Sequence, residues 1–359
     1  MKVLYDHQIF SNQVFGGVSR YFIEIRKGLD SKISILLSNN FYLRGNSQVY
    51  LELTVNFKGK KRLFNFLNEL YSIFLLKFTH YDIFHPTYYS VYFLKFVKLK
   101  PFILTIHDMT HERFPHYFTE NDNTIKHKKL LANLASRVIV VSENTKRDVI
   151  EILKIPENKI DVIYHGNSFE KVNLDEEIIN KIPEKYILYV GGRCTYKNFI
   201  NFMHALVDSL LGDNKLYLIC AGGGKFTNEE LNLFENFNIS YQIQHYSATD
   251  EELKSLYKNS LFFVFPSFYE GFGIPLLEAM ECKTAILCSN SSCFPEIVDN
   301  CALTFDPSSI EDIKIKIDFA LNNKLEIYIE NGTERLKYFS WDKSRKETMN
   351  TYIKALNDK

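Results

Sequence analysis

The chain has 359 residues, of which 46% are hydrophobic and 24% charged, and its 43 basic residues balance 43 acidic ones. This composition is that of a folded globular protein and excludes low-complexity and disordered classes. Because one hydrophobic core rarely serves a chain of this length, we expect two domains. The N-terminus MKVLYDHQIF lacks the features of a signal peptide, and no apolar run reaches the roughly 18 residues that span a bilayer, so we expect a cytoplasmic protein.

The neutral total hides a difference between the two halves of the chain. Residues 1–165 carry 23 Lys and Arg against 15 Asp and Glu, whereas residues 166–359 carry 20 against 28. A basic half attracts anionic partners such as phosphates, lipid headgroups or nucleic acid, although such an excess is also typical of a solvated surface. The six cysteines all lie in the second half without a CxxC pair, which favours reduced thiols over disulfides or a zinc site.

Short apolar runs that end in polar or turn residues recur through the first half of the chain. They are KVLYD (2–6), ISILLS (33–38), YDIFHP (81–86), FILTIHD (102–108), RVIVVS (137–142) and DVIYHG (161–166). Continuous apolarity is required of parallel strands that are buried on both faces, and the helix-length segments between the runs supply the crossovers. The pattern predicts an α/β domain over residues 1–168.

One segment of this half allows two interpretations. KGKKRLFNFLNELYSIFLLKF (58–78) places a basic cluster before an aromatic and aliphatic stretch. It is consistent with an amphipathic helix at a membrane interface. It is also consistent with a core helix that has a basic N-terminal flank, which is the favoured interpretation.

The βα pattern restarts after a polar linker and predicts a second domain over residues 169–340. Its strand-like runs are YILYVGG (186–192), LYLICAGGG (216–224), LFFVFPS (261–267), TAILCSN (284–290) and ALTFD (302–306). Doubly wound domains bind ligands where the carboxyl ends of their strands open, and two such edges could face one cleft. The segment LICAGGGKF (218–226) lacks the GxGxxG spacing of a dinucleotide site, so we interpret it as a turn.

The segment FPSFYEGFGIPLLEAM (265–280) predicts a strand, a glycine-containing loop and a helix that begins near Pro275. Glycines and a helix start favour a phosphate, because backbone N–H groups can approach it closely. Two flanking carboxylates, Glu270 and Glu278, then need neutral hydroxyl partners, which the sugar and ribose of a sugar nucleotide offer. An ordinary surface loop before an amphipathic helix would not explain the two glycines beside Glu270.

The sequence EGFGIPLLE is similar to the E-x7-E signature of retaining glycosyltransferases of family GT4, which have the GT-B fold. Three further segments resemble the same family, so the resemblance covers most of the chain: VSENTKRDVIEILKIPENKIDVIYHG (141–166), YILYVGGRCTYKNF (186–199) and FSWDKSRKETMNTYIKAL. It implies two Rossmann-like doubly wound domains facing a cleft, with the final helix, 341–359, packed back on the first domain. It also implies that Glu270 contacts the donor sugar and Glu278 the ribose.

The remaining site residues follow from residue type and from the resemblance together. Arg193 and Lys197 come after a strand and a glycine pair, where two cations would neutralise a diphosphate as it leaves. His107 and Asp108 end a strand, and the resemblance implies that such a histidine contacts the transferred sugar while Asp108 orients it or holds the acceptor. The predicted catalytic residues are His107, Asp108, Arg193, Lys197 and Glu270. The predicted donor-binding residues are Gly16, Gly17, Arg193, Lys197, Tyr246, Ser247, Glu270, Gly271, Phe272, Gly273, Ile274, Leu277 and Glu278.

These expectations combine into a retaining hexosyltransferase that uses a nucleotide diphosphate sugar, with GDP-mannose slightly favoured. Because the sequence contains no DxD motif, we expect neither a metal requirement nor a cofactor. The expected acceptor is a glycan or lipid-linked glycan of bacterial surface polysaccharide or O-antigen synthesis, reached at the inner face of the cytoplasmic membrane, and no nucleic acid is expected. The alternatives are a GT-B sugar-nucleotide epimerase and a non-catalytic sugar-nucleotide-binding protein; an NAD-dependent oxidoreductase is disfavoured because the first βα turn lacks the dinucleotide fingerprint.

Overall fold

A computed structural model of the chain describes residues 1–44, 58–97, 99–119 and 122–358. The chain divides into two compact units. One comprises Met1–His165 together with Trp341–Lys359, and the other comprises Gly166–Ser340. The boundary predicted from the sequence, between residues 168 and 169, falls just after the structural one.

Two parallel three-stranded sheets form the described part of the first unit, in the orders β2-β1-β3 and β4-β5-β6. The strands are β1 Val3–Tyr5, β2 Ser31–Ile33, β3 Ile83–His85, β4 Ile103–Ile106, β5 Arg137–Val140 and β6 Ile160–Val162. The predicted strand at 33–38 is wrong except for Ile33. The N–H groups of Leu36 and Leu37 donate to the side chain of Asn68, each at 2.9 Å, and therefore do not extend the sheet ladder.

Helices connect these strands, as parallel pairing requires. They are α1 Gln8–Asn12, α2 Gly17–Ile25, α3 Lys60–Phe78, α4 Thr110–Arg113, α5 Thr124–Leu134 and α6 Glu143–Asp148. Among the helices that the structure describes anywhere in the chain, none is both long and apolar enough to cross a membrane.

The second unit is built on one six-stranded parallel sheet with the order β12-β11-β10-β7-β8-β9. Its strands are β7 Tyr186–Val190, β8 Tyr217–Ala221, β9 Ile243–Tyr246, β10 Phe263–Phe265, β11 Ile286–Ser289 and β12 Leu303–Phe305. The edge strand β9 was not predicted, because only Ile243 of its four residues is buried. An edge strand with one buried residue lacks the continuous apolar run that marks the central strands.

The helices of the second unit pack against this sheet around a core that includes Phe202, Leu206, Val264 and Leu287. Their bounds are α7 Glu176–Ile179, α8 Phe199–Gly212, α9 Asn228–Asn236, α10 Asp250–Asn259, α11 Ile274–Glu281, α12 Phe294–Val298, α13 Ile310–Asn322 and α14 Glu326–Leu336. The loops at the carboxyl ends of β7, β8, β9 and β10 thus share one edge of the unit.

The last helix, α15 (Trp341–Asn357), packs in the first unit, against α2 and β5. Its Tyr352 hydroxyl lies in the core and shares hydrogen bonds of 2.8 Å with the Tyr5 hydroxyl and with Nδ1 of His85. The other ring nitrogen of His85 bonds to Thr105 Oγ1 at 2.9 Å. Polar groups from widely separated segments therefore satisfy one another inside this unit, as burial requires.

Four histidines are buried in the first unit: His7, whose pKa burial lowers, and three with larger shifts in pKa, namely His85, His107 and His165. Burial lowers the pKa of His85 to about 3 and that of His107 to about 4, and it holds the pKa of His165 well below its ordinary value. All three are therefore neutral in the folded chain at neutral pH. In the unfolded chain each would titrate near its ordinary value of 6.5.

We expect the chain to lose stability as the pH falls from about 7.5 to about 5, because below 6.5 the unfolded state binds protons that the folded state excludes. Each buried histidine contributes up to about 1.4 kcal/mol per pH unit to this loss. Melting temperatures measured across that range check the slope. His85→Asn should reduce the slope, whereas a melting temperature that is flat over this range would contradict the prediction.

Candidate active site

The order of strands in the second unit reverses between β7 and β10. From β7 the chain proceeds outward through β8 and β9, and then returns to add β10, β11 and β12 on the other side. In open parallel sheets such a reversal leaves a crevice at the carboxyl ends of the two central strands, where ligands bind. The crevice here lies between the loop after β7, residues 191–198, and the loop after β10, residues 266–273.

Backbone and amide contacts hold these two loops together. Asn198, in the left-handed region at φ 59°, is buried. Its amide donates to the carbonyls of Pro266 at 3.1 Å and Pro307 at 2.7 Å. The N–H of Phe268 donates to the carbonyl of Tyr196 at 2.9 Å. The position of Lys197 relative to the second loop is therefore fixed from both sides.

Lys197 and Glu270 form an ion pair across the crevice. Lys197 Nζ lies 2.5 Å from Glu270 Oε1, and the Ser267 hydroxyl donates to the same oxygen at 2.7 Å. The two charged side chains are 19% and 15% exposed. Both can therefore be reached by a ligand while each is held by its partner.

Gly273 connects the second loop to α11. Its φ of +90° lies in the left-handed region, and a Cβ there would meet Leu276 Cδ1 at 3.0 Å, so glycine suits this position on both counts. Glycine offers no side chain to cap the helix, and Pro275 stands in the first turn. The start of α11 therefore presents backbone N–H groups and the positive end of the helix dipole beside Glu270, an arrangement that favours an anion.

Other residues of the predicted donor set lie deeper. Glu278 is 6% exposed, and its Oε2 accepts the Tyr257 hydroxyl at 3.2 Å. Leu277 is fully buried, and Phe272 packs edge-on against Phe339 with ring centroids 5.8 Å apart. Leu277 and Phe272 thus hold α11 and its loop in place by packing.

Tyr246 and Ser247 lie at the end of β9, on the same edge of the sheet. The Tyr246 hydroxyl donates to Gln244 Oε1 at 2.9 Å, and the backbone carbonyl of Tyr246 accepts the N–H of Gly222 at 2.9 Å. Ser247 is exposed, while Gly271 is buried and Ile274 half-buried. The topology therefore gathers the predicted donor-binding residues of this unit along one edge.

Arg193 is held differently from Lys197. Its side chain is only 3% exposed, and its Nε lies 2.7 Å from Glu230 Oε1. Its other nitrogens donate to backbone carbonyls of the loop after β8, namely Gly222 at 3.1 Å, Gly224 at 2.9 Å and Lys225 at 3.0 Å. The planar guanidinium has several donors in one fork, which suits a side chain that holds a loop through several backbone carbonyls.

The glycines of that loop fit closely against the turn after β7. Gly222, Gly223 and Gly224 all have positive φ, and a Cβ on Gly223 would lie 2.4 Å from the carbonyl oxygen of Gly191. This geometry agrees with the interpretation of the segment as a turn. Glu230 was missed at the sequence level, although the capping box that it completes with Thr227 could have indicated it.

The first unit holds the other predicted residues. Gly16 and Gly17 begin α2, where the carbonyl of Gly16 accepts the Ser19 hydroxyl at 2.9 Å. Nε2 of His107 is buried and has no hydrogen-bond partner in the described residues. Burial raises the pKa of Asp108, but the Lys128 ammonium and the N–H of Thr110, which donates at 2.9 Å, outweigh it and leave the pKa below its usual value.

No group of three His, Cys, Asp or Glu side chains that could hold a metal ion occurs within the residues described. The chain does match two family models, one in each half. Residues 15–170 match Glycosyltransferase Family 4, and residues 170–335 match Glycosyl transferases group 1. The chain belongs to the GT4-type glycosyltransferases.

Known proteins similar to this glycosyltransferase agree with that assignment. An uncharacterized glycosyltransferase of Methanocaldococcus jannaschii is 29% identical over 77% of this chain and 76% of its own length. The O-antigen chain mannosyltransferase B of Escherichia coli is 27% identical over 71% of each chain. The structure of Anabaena HepE, solved with UDP and glucose, is 15% identical and covers 98% of this chain and 99% of its own, with a TM-score of 0.77. The predicted fold class, GT-B with two Rossmann-like domains, is confirmed.

The burial of Arg193 generates a test of its role. We expect Arg193→Ala and Glu230→Gln each to weaken nucleoside diphosphate binding, and the double variant to be little worse than either, because both residues hold the loop after β8. Calorimetric titration with GDP and UDP measures the affinities.

Thr227→Ala is the matched control, since it breaks the same helix cap without removing the partner of Arg193. If Arg193 bound the diphosphate directly, Glu230→Gln would remove the carboxylate that competes with the diphosphate for the guanidinium. The affinity for the nucleoside diphosphate would then be preserved or raised. That result would contradict a purely positioning role.

Proposed function

We propose that this glycosyltransferase moves a hexose, with mannose as the first candidate, from a nucleotide diphosphate sugar to an acceptor hydroxyl with retention at the anomeric carbon. The observation that carries the proposal is the Lys197–Glu270 pair at the strand reversal, beside the start of α11. A cation and a helix start suit a diphosphate, whereas a carboxylate suits the hydroxyls of a sugar.

In the proposed reaction, Lys197 and the N–H groups of α11 stabilise the charge that develops on the leaving diphosphate. Glu270 accepts hydrogen bonds from hydroxyls of the transferred hexose, and Glu278 from those of the ribose. The bond between the anomeric carbon and the phosphate oxygen breaks, and the acceptor oxygen bonds to the same face of that carbon. The acceptor proton passes to the leaving phosphate oxygen, so that no enzyme nucleophile is needed.

We assign the remaining predicted catalytic residues as follows. His107 contacts the transferred sugar. Its low pKa keeps the ring neutral, and its Nε2, which has no hydrogen-bond partner in the described residues, is available to bond to a sugar hydroxyl. Asp108, whose pKa is lowered, is ionised and accepts hydrogen bonds. The sequence predicts that Arg193 neutralises the diphosphate; we propose instead that it positions the glycine loop after β8, since its donors bond to Glu230 and to backbone carbonyls.

Donor and acceptor are proposed from the relatives. The name of the E. coli relative, an O-antigen chain mannosyltransferase, supports mannose as the transferred sugar and a surface glycan as the acceptor. We propose GDP as the donor nucleotide and a lipid-linked form of that glycan as the acceptor. The UDP and glucose bound to HepE support a uridine nucleotide as the alternative. We further propose that the reaction needs no metal and that it takes place at the inner face of the cytoplasmic membrane.

We expect one nucleoside diphosphate, GDP, to raise the melting temperature of the chain by roughly 3–8 °C at about a hundredfold excess over its Kd, because a ligand that binds only the folded state stabilises it. Thermal-shift measurements with GDP, UDP, dTDP and CMP make the comparison. A melting-temperature shift with UDP alone would mean that the donor carries uracil and not guanine. No shift with any of the four would contradict the donor-site assignment.

Lys197→Ala and Glu270→Ala should each lower kcat by about 10²–10³, because each removes a group that acts on developing charge or on the reacting sugar. Transfer from GDP-[¹⁴C]mannose to a lipid-linked acceptor measures the rate. Lys185→Ala, at a surface ion pair of the same unit, is the matched control and should retain wild-type activity.

The same reaction separates the alternatives. EDTA should leave the rate unchanged, and NMR of the product should show the anomeric configuration of the donor. An epimeric sugar nucleotide formed without acceptor would identify an epimerase. Donor binding without turnover on a broad acceptor panel would favour a binding protein.

A further inference from the structure

Helix α3 presents an apolar face to solvent. Its outward side chains are between 43% and 72% exposed, and they are Leu63, Phe66, Leu70, Phe74 and Phe78. The spacings of three and four residues keep them on one side for the whole length of the helix, about 28 Å. A surface helix normally turns such a stripe toward the core. On α3 these five side chains form an apolar stripe that faces solvent, on the side of the helix opposite to the core.

Hydrogen bonds fix this orientation. The inward face carries Asn68 and Ser72, both fully buried. The Asn68 amide donates to the carbonyl of Leu37 at 2.8 Å and accepts the N–H of the same residue at 2.9 Å. The Ser72 hydroxyl bonds to Ser34 Oγ at 2.7 Å and to Tyr92 Oη at 2.6 Å. Rotation of α3 that hid the apolar stripe would leave these buried polar groups without partners, which is costly.

The charges around the stripe indicate the chemistry of its partner. Residues 58–78 contain five basic side chains, Lys58, Lys60, Lys61, Arg62 and Lys77, and one acidic side chain, Glu69. Four of the five precede the stripe at the start of the helix. A second copy of this chain would bring the same excess of positive charge against itself, whereas anionic lipid headgroups complement it.

From these observations we propose that the outward face of α3 docks on an anionic lipid bilayer. The helix would lie in the interface with its leucine and phenylalanine side chains among the upper acyl groups and its basic residues among the headgroups. This deepens the proposed function, since it supplies the surface by which the enzyme would reach a lipid-linked acceptor.

A cavity beside the basic end of α3 links the docking face to the glycine loop at the start of α2. It has a volume of about 330 Å³, and its walls include Lys60, Lys61 and Phe64 of α3 and Gln13 and Val14 of the chain that leads into α2. Gly16 and Gly17, predicted to contact the donor, follow Val14 after one residue, Phe15. Docking of α3 would therefore bring this glycine loop beside the headgroup layer.

Sedimentation with vesicles tests the docking. Wild-type protein should pellet with vesicles of phosphatidylcholine and phosphatidylglycerol, less so as salt rises, and poorly with phosphatidylcholine alone. Phe66→Ser combined with Phe74→Ser should weaken binding at least about tenfold, and Lys61→Glu with Arg62→Glu should abolish the preference for phosphatidylglycerol. The matched control, Ile315→Ser with Ile327→Ser, removes equally exposed apolar side chains from the other unit and should bind as wild type.

Wild type that stays in the supernatant, or a Phe66 and Phe74 variant that binds like wild type, would overturn the proposal. A lipid-free dimer that the same variant converts to a monomer would also overturn it, because the face would then join two copies of the chain. Melting temperatures confirm that each variant is folded. The GDP shift, measured without vesicles, reports on the donor site separately, so either proposal can fail while the other stands.

Discussion

The ion pair between Lys197 and Glu270 spans the point at which the six-stranded sheet reverses its order, and the proposed donor site is built around it. Partly buried charges are costly unless each has a partner. Here each residue is the partner of the other, and Ser267 adds a hydrogen bond to the same carboxylate oxygen. A donor that offered phosphate to Lys197 and hydroxyls to Glu270, as we propose, would replace one satisfied set of contacts with another.

The supporting contacts explain why we propose different roles for two neighbouring cations. Arg193 is buried at the carboxyl edge of the sheet, where its guanidinium bonds to Glu230 and to three carbonyls of the loop after β8. Its planar fork suits several fixed acceptors at once, whereas the single ammonium of Lys197 can change partners when a ligand enters. Asn198 completes the arrangement by joining the loops that follow β7, β10 and β12.

Much of the fold could be predicted from the sequence, because buried parallel strands leave continuous apolar runs; those at 186–192 and 261–267 contain β7 and β10. The failures have local causes. Strand β9 has one buried residue, and the run at 33–38 bonds to Asn68 from a helix about thirty residues later. The orientation of α3 stayed open for the same reason, since the partners of Asn68 and Ser72 lie far along the chain. Glu270 and Lys197 stood in a recognisable motif, but the pairing of Arg193 with Glu230, 37 residues away, is a tertiary contact that no local pattern specifies.

A crystal structure of the chain with GDP bound would test this donor site directly. We expect a diphosphate at the carboxyl edge between β7 and β10, with a phosphate oxygen within hydrogen-bonding distance of Lys197 Nζ and of a first-turn N–H of α11, and with ribose hydroxyls at Glu278. A diphosphate bound anywhere else, or bound here with Lys197 still paired to Glu270 and pointing away from the phosphate, would contradict it.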